Sequence, residues 1–559
     1  LRQTPRCDRR VALILANYPN RDGRLANGVG LDTPESVVRL LHALADAGYR
    51  VDPLPQSGAE LMDWLTAGIT NDPEGRSLRL VRQTLAASDY QTYFETLPAA
   101  VQQGIDDRWQ SPPNQDWAIA GIQLGHIFVG IQPSRGYDDD PSLNYHAPDL
   151  EPTHAYLAFY QWVRADFGAQ AMIHVGKHGN LEWLPGKSIA LSEDCYSEVA
   201  LGPMPHLYPF IVNDPGEGSQ AKRRSQAVIV DHLTPPLTRA ELYGALQQLE
   251  QLIDEYYEAD SLDPSRLPTI RDRIQSLITQ AHLDRDLAFL PGSTPKGKWD
   301  DEAFSDLLTR TDGYLCELKE AQIRDGLHIL GQCPDGRLLR DLVLAIARSP
   351  DRQRAGLTRA IAQTWQLDCD PLSDDPAVML SEGDRQRLLI YTNNPIRTVG
   401  DAIEVLETWA AQKVAALIAD EGITADGAIA RELTWIQDQL LPKLRQTDQE
   451  LQAVLHGLDG GYVPSGSSGA PTRGRADVLP TGRNFYSVDI RGIPTESAWA
   501  VGQAAAERLI ERYTQEEGEY PRSLALSVWG TSTMRTGGDD MAEALALMGV
   551  RPVGDGPSR

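Results

Sequence analysis

Residues 11–54 read VALILANYPNRDGRLANGVGLDTPESVVRLLHALADAGYRVDPL, and three signals follow one another along them. The opening run, VALILA, is apolar at every position, as in a parallel strand buried on both faces. A polar loop comes next. Thr33 is then placed to cap a helix with Pro34 at its first position, where a missing N–H and a fixed φ do no harm. Apolar residues recur at helical spacing as far as Gly48, a stop signal, and VDPL is expected as the following strand. Strand, helix and strand in this order predict a βαβ unit, and hence an α/β fold with doubly wound sheets of the flavodoxin or Rossmann type.

Similar apolar runs recur in WAIAGIQLGHIFVGI (117–131), AQAMIHVG (169–176), YPFIVN (208–213) and SQAVIVDHL (225–233). Residues 1–235 are therefore expected to form an α/β domain. Helical periodicity then takes over in RAELYGALQQLEQLIDEYYEA (239–259), DDEAFSDLLTRTDGYLCELKEAQI (300–323) and DAIEVLETWAAQKVAALIADEG (401–422). A large, mainly helical domain over 236–456, inserted or appended, is the expectation. Residues 457–559 begin with a stretch rich in Gly, Pro and Ser and continue as a helix from Glu496, a strand-like SLALSVW and a helix from Asp539. This segment is expected to complete a cleft with the first domain. The chain opens on leucine without an apolar leader and is expected to be part of something longer at both ends.

The composition excludes several classes. Across 559 residues the formal charge is −26, which disfavours a broad nucleic-acid surface. No window approaches the roughly 18 uncharged apolar residues of a membrane span. The five cysteines, Cys7, Cys195, Cys316, Cys333 and Cys369, form no CxxC and are expected to be reduced thiols of a cytoplasmic protein rather than metal ligands.

Chemistry concentrates in IHVGKHGNLEWLPGKS (173–188), which carries His174, His178 and Glu182 at intervals of four. Gly176 and Gly179 argue against a helix, so the spacing alone does not put the three on one face. The stretch lacks the Glu that a zinc-protease HExxH requires after its first His. It is also no Walker A loop, because Leu181 stands where the first glycine should be. Two imidazoles and a carboxylate at a strand's carboxyl end suit a borderline divalent metal or proton transfer, against the plainer reading of histidines bonded to loop backbone. Three other polar loops carry arginines and carboxylates: 17–34, 213–224 and 529–540. Together they suggest one large polar cleft whose local arginines favour a polyanionic small ligand.

LANYPNRDGRLANGVGLDTP, HVGKHGNLEWLPGK, GPMPHLYPFIVNDPGEGSQAKRRSQAVIVDHLTPPLTRAE, GAPTRGRADVLPTGRNFYSVD and WGTSTMRTGGDD run from one end of the chain to the other. They resemble the large subunits of the cobaltochelatase and magnesium-chelatase family, the CobN type in particular. Two departures are Ala147 in YHAPDL and Ile490 in SVDIRGIP, where the family would place Asp and often Pro.

The resemblance implies ATP-dependent insertion of Co²⁺, the substrate metal, into a corrin precursor, hydrogenobyrinic acid a,c-diamide, in cobalamin synthesis. It assigns ATP-Mg²⁺ to partner subunits, an AAA+ ATPase and a protein with an integrin-like domain, in accord with the missing P-loop here. The alternatives are a magnesium-chelatase H-type subunit inserting Mg²⁺ into protoporphyrin IX, or a non-catalytic tetrapyrrole carrier or scaffold. On this reading Glu182 is the base or metal-delivering carboxylate, and His178 and His174 are metal ligands or proton relays. Trp183 would pack against the macrocycle, and Arg21, Arg24, Lys177, Lys222, Arg223, Arg483 and Arg535 would anchor its carboxylates. His206 and His154 are expected to be satisfied structural histidines, with His42, His282 and His328 in helical patterns.

Overall fold

Six strands make one sheet: β1 (Val11–Leu15), β2 (Gly121–Leu124), β3 (Ile127–Ile131), β4 (Ala171–Val175), β5 (His206–Ile211) and β6 (Val228–His232). This computed structural model describes residues 1–559 except 18–21, 74–77, 137–148, 178, most of 236–325, 352, 393–394, 424, 426, 487–492, 529, 531–532, 534–535, 554–559 and the Arg24 side chain. The spatial order is β2-β3-β1-β4-β5-β6. β3, β1, β4, β5 and β6 are parallel, and β2 closes one edge as the antiparallel arm of a hairpin with β3. Taken in chain order the parallel strands follow the flavodoxin arrangement, whose switch point lies between β1 and β4.

Alternation along β1 shows why its run is wholly apolar. Val11, Leu13 and Leu15 face a layer holding α1 (Thr33–Asp46), while Ala12 and Ile14 face α2 (His154–Ala165). Each large side chain so buried stabilises the fold by roughly 1.5–3 kcal/mol.

Three expectations need correction. The cap of α1 is Asp32, whose carboxylate accepts from the Glu35 N–H, one residue earlier than expected. VDPL is not the second strand: both edges of β1 are taken by β3 and β4, and Pro53 has no N–H for a ladder. SLALSVW pairs with no strand among the described residues, and its residues 523–528 are exposed.

The chain forms two compact units, Leu1–Pro236 with His328–Arg559, and Leu237–Leu327. α4 (Gln449–Leu458), beyond α3 (Pro215–Arg224), packs Val454 and Leu458 into the same core as Leu207 and Val230 of the sheet. The helices Gly336–Ala347, Leu357–Thr364 and Val399–Ile418 share a further core with Leu233 and Leu479. Amphipathic faces need an apolar partner, and these find the sheet's unit. The expected helical segments 239–259 and 300–323 lie outside the described residues. Among the described residues no helix is long and apolar enough to cross a membrane.

Candidate active site

β1 and β4 end side by side, and their loops close on each other. A Cβ on Gly28 would stand 2.4 Å from the Thr33 hydroxyl and 3.6 Å from the Gly176 Cα. Gly176 itself has φ +85°, a conformation glycine adopts freely. The Val29 N–H donates to the Lys177 carbonyl at 3.0 Å, which fixes the two loops together. The chain then enters a 3₁₀ turn, Leu181–Trp183, which carries Glu182 inward to 1% exposure. The eight-residue step from His174 to Glu182 thus spans a strand end and a turn.

His174 lies in a wholly buried chain of polar groups. The Ser225 carbonyl can only accept, so the His206 Nδ1, 2.9 Å away, carries the proton. Neutral His206 then accepts at Nε2 from the His174 Nδ1–H at 2.8 Å. That leaves the His174 Nε2 to accept from the Tyr160 hydroxyl at 2.9 Å, which in turn accepts from the Gln132 amide at 2.9 Å. The Gln132 carbonyl holds the Asn180 N–H at 3.1 Å, tying the relay to the loop before Glu182. Burial pushes His206 down to about 4 and His174 well below its ordinary value, so both rings are neutral. Neither has a lone pair left for a metal. Of the two roles expected for His174, metal ligand or proton relay, the first would require breaking these hydrogen bonds.

Glu182 differs from its neighbours. Its Oε1 accepts from the Tyr208 hydroxyl at 3.2 Å, and that hydroxyl accepts from the Gly179 N–H at 2.6 Å. Among the described residues its Oε2 is buried without a partner. Burial pushes the carboxyl up to about 8; its own backbone N–H opposes this, the charge of Glu217 adds to it, and Tyr208 opposes it. Arg224 braces the turn from behind, donating to the carbonyls of Glu182 (3.2 Å), Leu184 and Gly186 (2.8 Å). At neutral pH Glu182 is thus mostly a neutral acid that an approaching cation would ionise.

The other expected residues divide. Lys177 is buried and ion-paired to Asp214 and to Glu217, the latter at 3.2 Å. Lys222 donates to Asn484 Oδ1 at 2.5 Å and to the Phe485 carbonyl at 2.9 Å, so it tethers the 463–485 loop to α3. Arg223 is exposed, whereas Trp183 and Arg483 are half-buried. The Arg483 backbone N–H donates to Asp231 Oδ1 at 2.8 Å. Arg24 belongs to the 3₁₀ turn Asp22–Arg24, but its side chain, together with Arg21, His178, His146 and Arg535, lies outside the described residues. His206 is the first residue of β5 rather than a loop histidine, and His154 opens α2, bonded to Tyr90 and the Gln110 carbonyl. Among the described residues no three His, Cys, Asp or Glu side chains are arranged to hold a metal ion.

Sequence reasoning missed Gln132, Tyr160, Tyr208, Asn180 and Arg224. A signal existed for two of them: Gln132 and Tyr208 are polar-ended residues in otherwise apolar strand runs. It also missed a second buried cluster one strand away. Glu450 accepts from the Leu233 N–H (2.8 Å), the Gly331 N–H (2.8 Å), the Thr481 hydroxyl (2.7 Å) and the His328 ring (2.7 Å). His328 is not helical, since it forms a bridge with Leu31.

The sequence matches the CobN/Magnesium Chelatase family model over residues 1–559. It is 49% identical to the aerobic cobaltochelatase subunit CobN of Pseudomonas aeruginosa, an alignment covering 99% of this chain and 45% of that protein. The H-type magnesium-chelatase protein of Chlorobaculum parvum is 30% identical, with 99% and 44% covered. The solved catalytic subunit of cobaltochelatase from Mycobacterium tuberculosis superposes with a TM-score of 0.70 at 41% identity, covering 99% of this chain and 46% of that one. The chain spans about half the length of the curated relatives it matches. With every residue inside the family's model, the chain belongs to the CobN/magnesium chelatase family.

Proposed function

We propose that this chain forms the metal-inserting core of a cobaltochelatase large subunit, with Glu182 accepting ring N–H protons of a bound tetrapyrrole as Co²⁺ enters. One observation carries the reading: a carboxyl at the switch point of the sheet, buried, with an unpartnered oxygen and a proton held to about 8. Insertion needs a group that is neutral while the site is empty and becomes a base when a cation arrives. A neutral buried acid meets that need: a divalent charge nearby favours its ionised form, so its own proton leaves to solvent first. The carboxylate then takes ring N–H protons one at a time and passes each on. The His174–His206 relay holds the walls of the site, and Lys177 is ion-paired to both Asp214 and Glu217.

Cobalt is favoured over magnesium by the higher identity to a cobaltochelatase protein than to a magnesium-chelatase protein, 49% against 30%. A corrin precursor, hydrogenobyrinic acid a,c-diamide, is the proposed ring. ATP-Mg²⁺ would be hydrolysed by separate AAA+ and integrin-like-domain subunits, and a cytoplasmic location accompanies the reading.

The test uses the full-length subunit with its partner subunits and compares wild type with Glu182→Gln. Tetrapyrrole binding, followed by absorbance, is expected to survive the substitution, while ATP-dependent Co²⁺ insertion falls by about 10²–10⁴-fold. Insertion at the wild-type rate in the variant would remove Glu182 from the chemistry and leave a carrier.

A further inference from the structure

Away from Glu182, a cavity of about 880 Å³ opens where α5 (Glu496–Glu517) begins, and α6 (Asp539–Leu547) starts on its wall. None of the residues of the Glu182 cluster lines it. Four arginines do, Arg348, Arg359, Arg473 and Arg551, against two carboxylates, Glu496 and Asp539. In a chain with a formal charge of −26, a concave site with cations in excess is unusual for the surface as a whole.

The arginines differ in how firmly they are held, Arg359 gripping Asp370 through two nitrogens. Arg473 reaches Asp539 at 3.1 Å while still half exposed, and Arg348 stands 3.7 Å from Glu407. Arg359 pairs with Asp370 at 2.9 Å. Arg551 is exposed and has no ion pair among the described residues. Burial pushes Asp539 up to about 6, so an anion that took Arg473 from it would leave a carboxyl already inclined to hold a proton. The first six residues of α5 line the cavity, adding the positive end of a 22-residue helix, and Trp499 supplies a flat apolar surface.

We propose that this cavity is a second binding site, for a flat ligand bearing several oxyanions, which the arginines grip and Trp499 stacks against. The oxyanions could be the peripheral carboxylates of a tetrapyrrole or the phosphates of a nucleotide, and only the tetrapyrrole source rests on the function proposed above. Guanidinium forks fit both groups by paired, charge-assisted hydrogen bonds.

The purified chain would be titrated by tryptophan fluorescence with uroporphyrin, an octacarboxylate, and separately with ATP. Wild type is compared with Arg551→Glu, Arg359→Glu/Arg551→Glu and Glu182→Gln. At least one probe is expected to bind. Arg551→Glu should weaken it about tenfold and the double variant about a hundredfold, with Glu182→Gln unchanged. Arg551 is exposed and unpaired, so its variant tests the site without unfolding risk. Uroporphyrin alone responding to the arginines identifies carboxylates, and ATP alone identifies phosphates. The proposal is overturned if neither probe saturates, or if affinity ignores both arginine variants. Uroporphyrin binding that depends on Glu182 but not on the arginines would overturn it while leaving the proposed function standing.

Discussion

Glu182 and Glu450 are both buried carboxylates at the carboxyl edge of the same sheet, each 1% exposed or less, yet they are opposites. Glu450 accepts from four donors that fill both oxygens; burial raises its value, but the His328 charge and hydrogen bond together with the other donors outweigh this and hold it below the ordinary range. Among the described residues Glu182 has one side-chain hydroxyl on one oxygen and no partner on the other, and burial outweighs its own backbone N–H and Tyr208. The difference teaches that depth alone does not mark a functional acid. What marks it is depth without donors, because a fold that wanted only structure would have satisfied both oxygens.

The largest effect should come from breaking the satisfied member. Glu450→Ala would leave four donors, a buried imidazole among them, without their acceptor, drawn from segments 233, 328–331 and 481. A loss of about 3–5 kcal/mol is expected in chemical denaturation. A loss below about 1 kcal/mol would show that the four bonds are replaceable by water and that the contrast with Glu182 is shallow.

Glu182→Gln should do the reverse. The folded carboxyl titrates near 8 against about 4.5 unfolded, so its contribution to stability is full below 4.5 and is lost as pH rises through 8. Wild type should therefore lose stability relative to Glu182→Gln across that window, by a few kcal/mol at the alkaline end. His206 has the opposite sign. Its value is depressed to about 4, so the stability it contributes is present above 6.5 and lost as pH falls through 4, equally in both proteins. Superimposable stability curves between pH 5 and 9 would mean that Glu182 is not protonated in the fold.

How much of this contrast could be read in advance follows from what periodicity reports. The apolar runs at 11–16 and 208–213 named strands correctly, since complete burial leaves no polar face to alternate with, while the run at 117–131 holds three short strands. The strand end at His174 and the turn that carries Glu182 were legible from the glycines. VDPL and SLALSVW were not, because a short apolar run says nothing about whether a partner edge is free. Hydrogen-bond satisfaction was also hidden. The acceptor state of His174 is decided by Ser225 and Tyr160, 51 and 14 residues away in sequence, and Glu450 draws its donors from three remote segments. Pairing at such distance leaves no local spacing to find, so the two glutamates look alike in sequence and differ only once folded.

The finest test removes one donor from each acid and compares the responses. Tyr208→Phe deletes the only side-chain donor to Glu182 among the described residues and an acceptor of the Gly179 N–H, and about 1–2 kcal/mol should be lost. Because that hydroxyl lowers the Glu182 value, its loss should move the midpoint of the alkaline stability change upward. Thr481→Val deletes one of four donors to Glu450, the other three remain, and about 1 kcal/mol should be lost with no alkaline midpoint appearing. The measurement is urea unfolding as a function of pH for both variants. An upward shift in Tyr208→Phe alone is expected, since that hydroxyl lowers the Glu182 value, whereas Thr481 is one of four donors that Glu450 shares. A matching shift in Thr481→Val would mean that Glu450 stands as near to protonation as Glu182, and the distinction between the clamp and the base would fall.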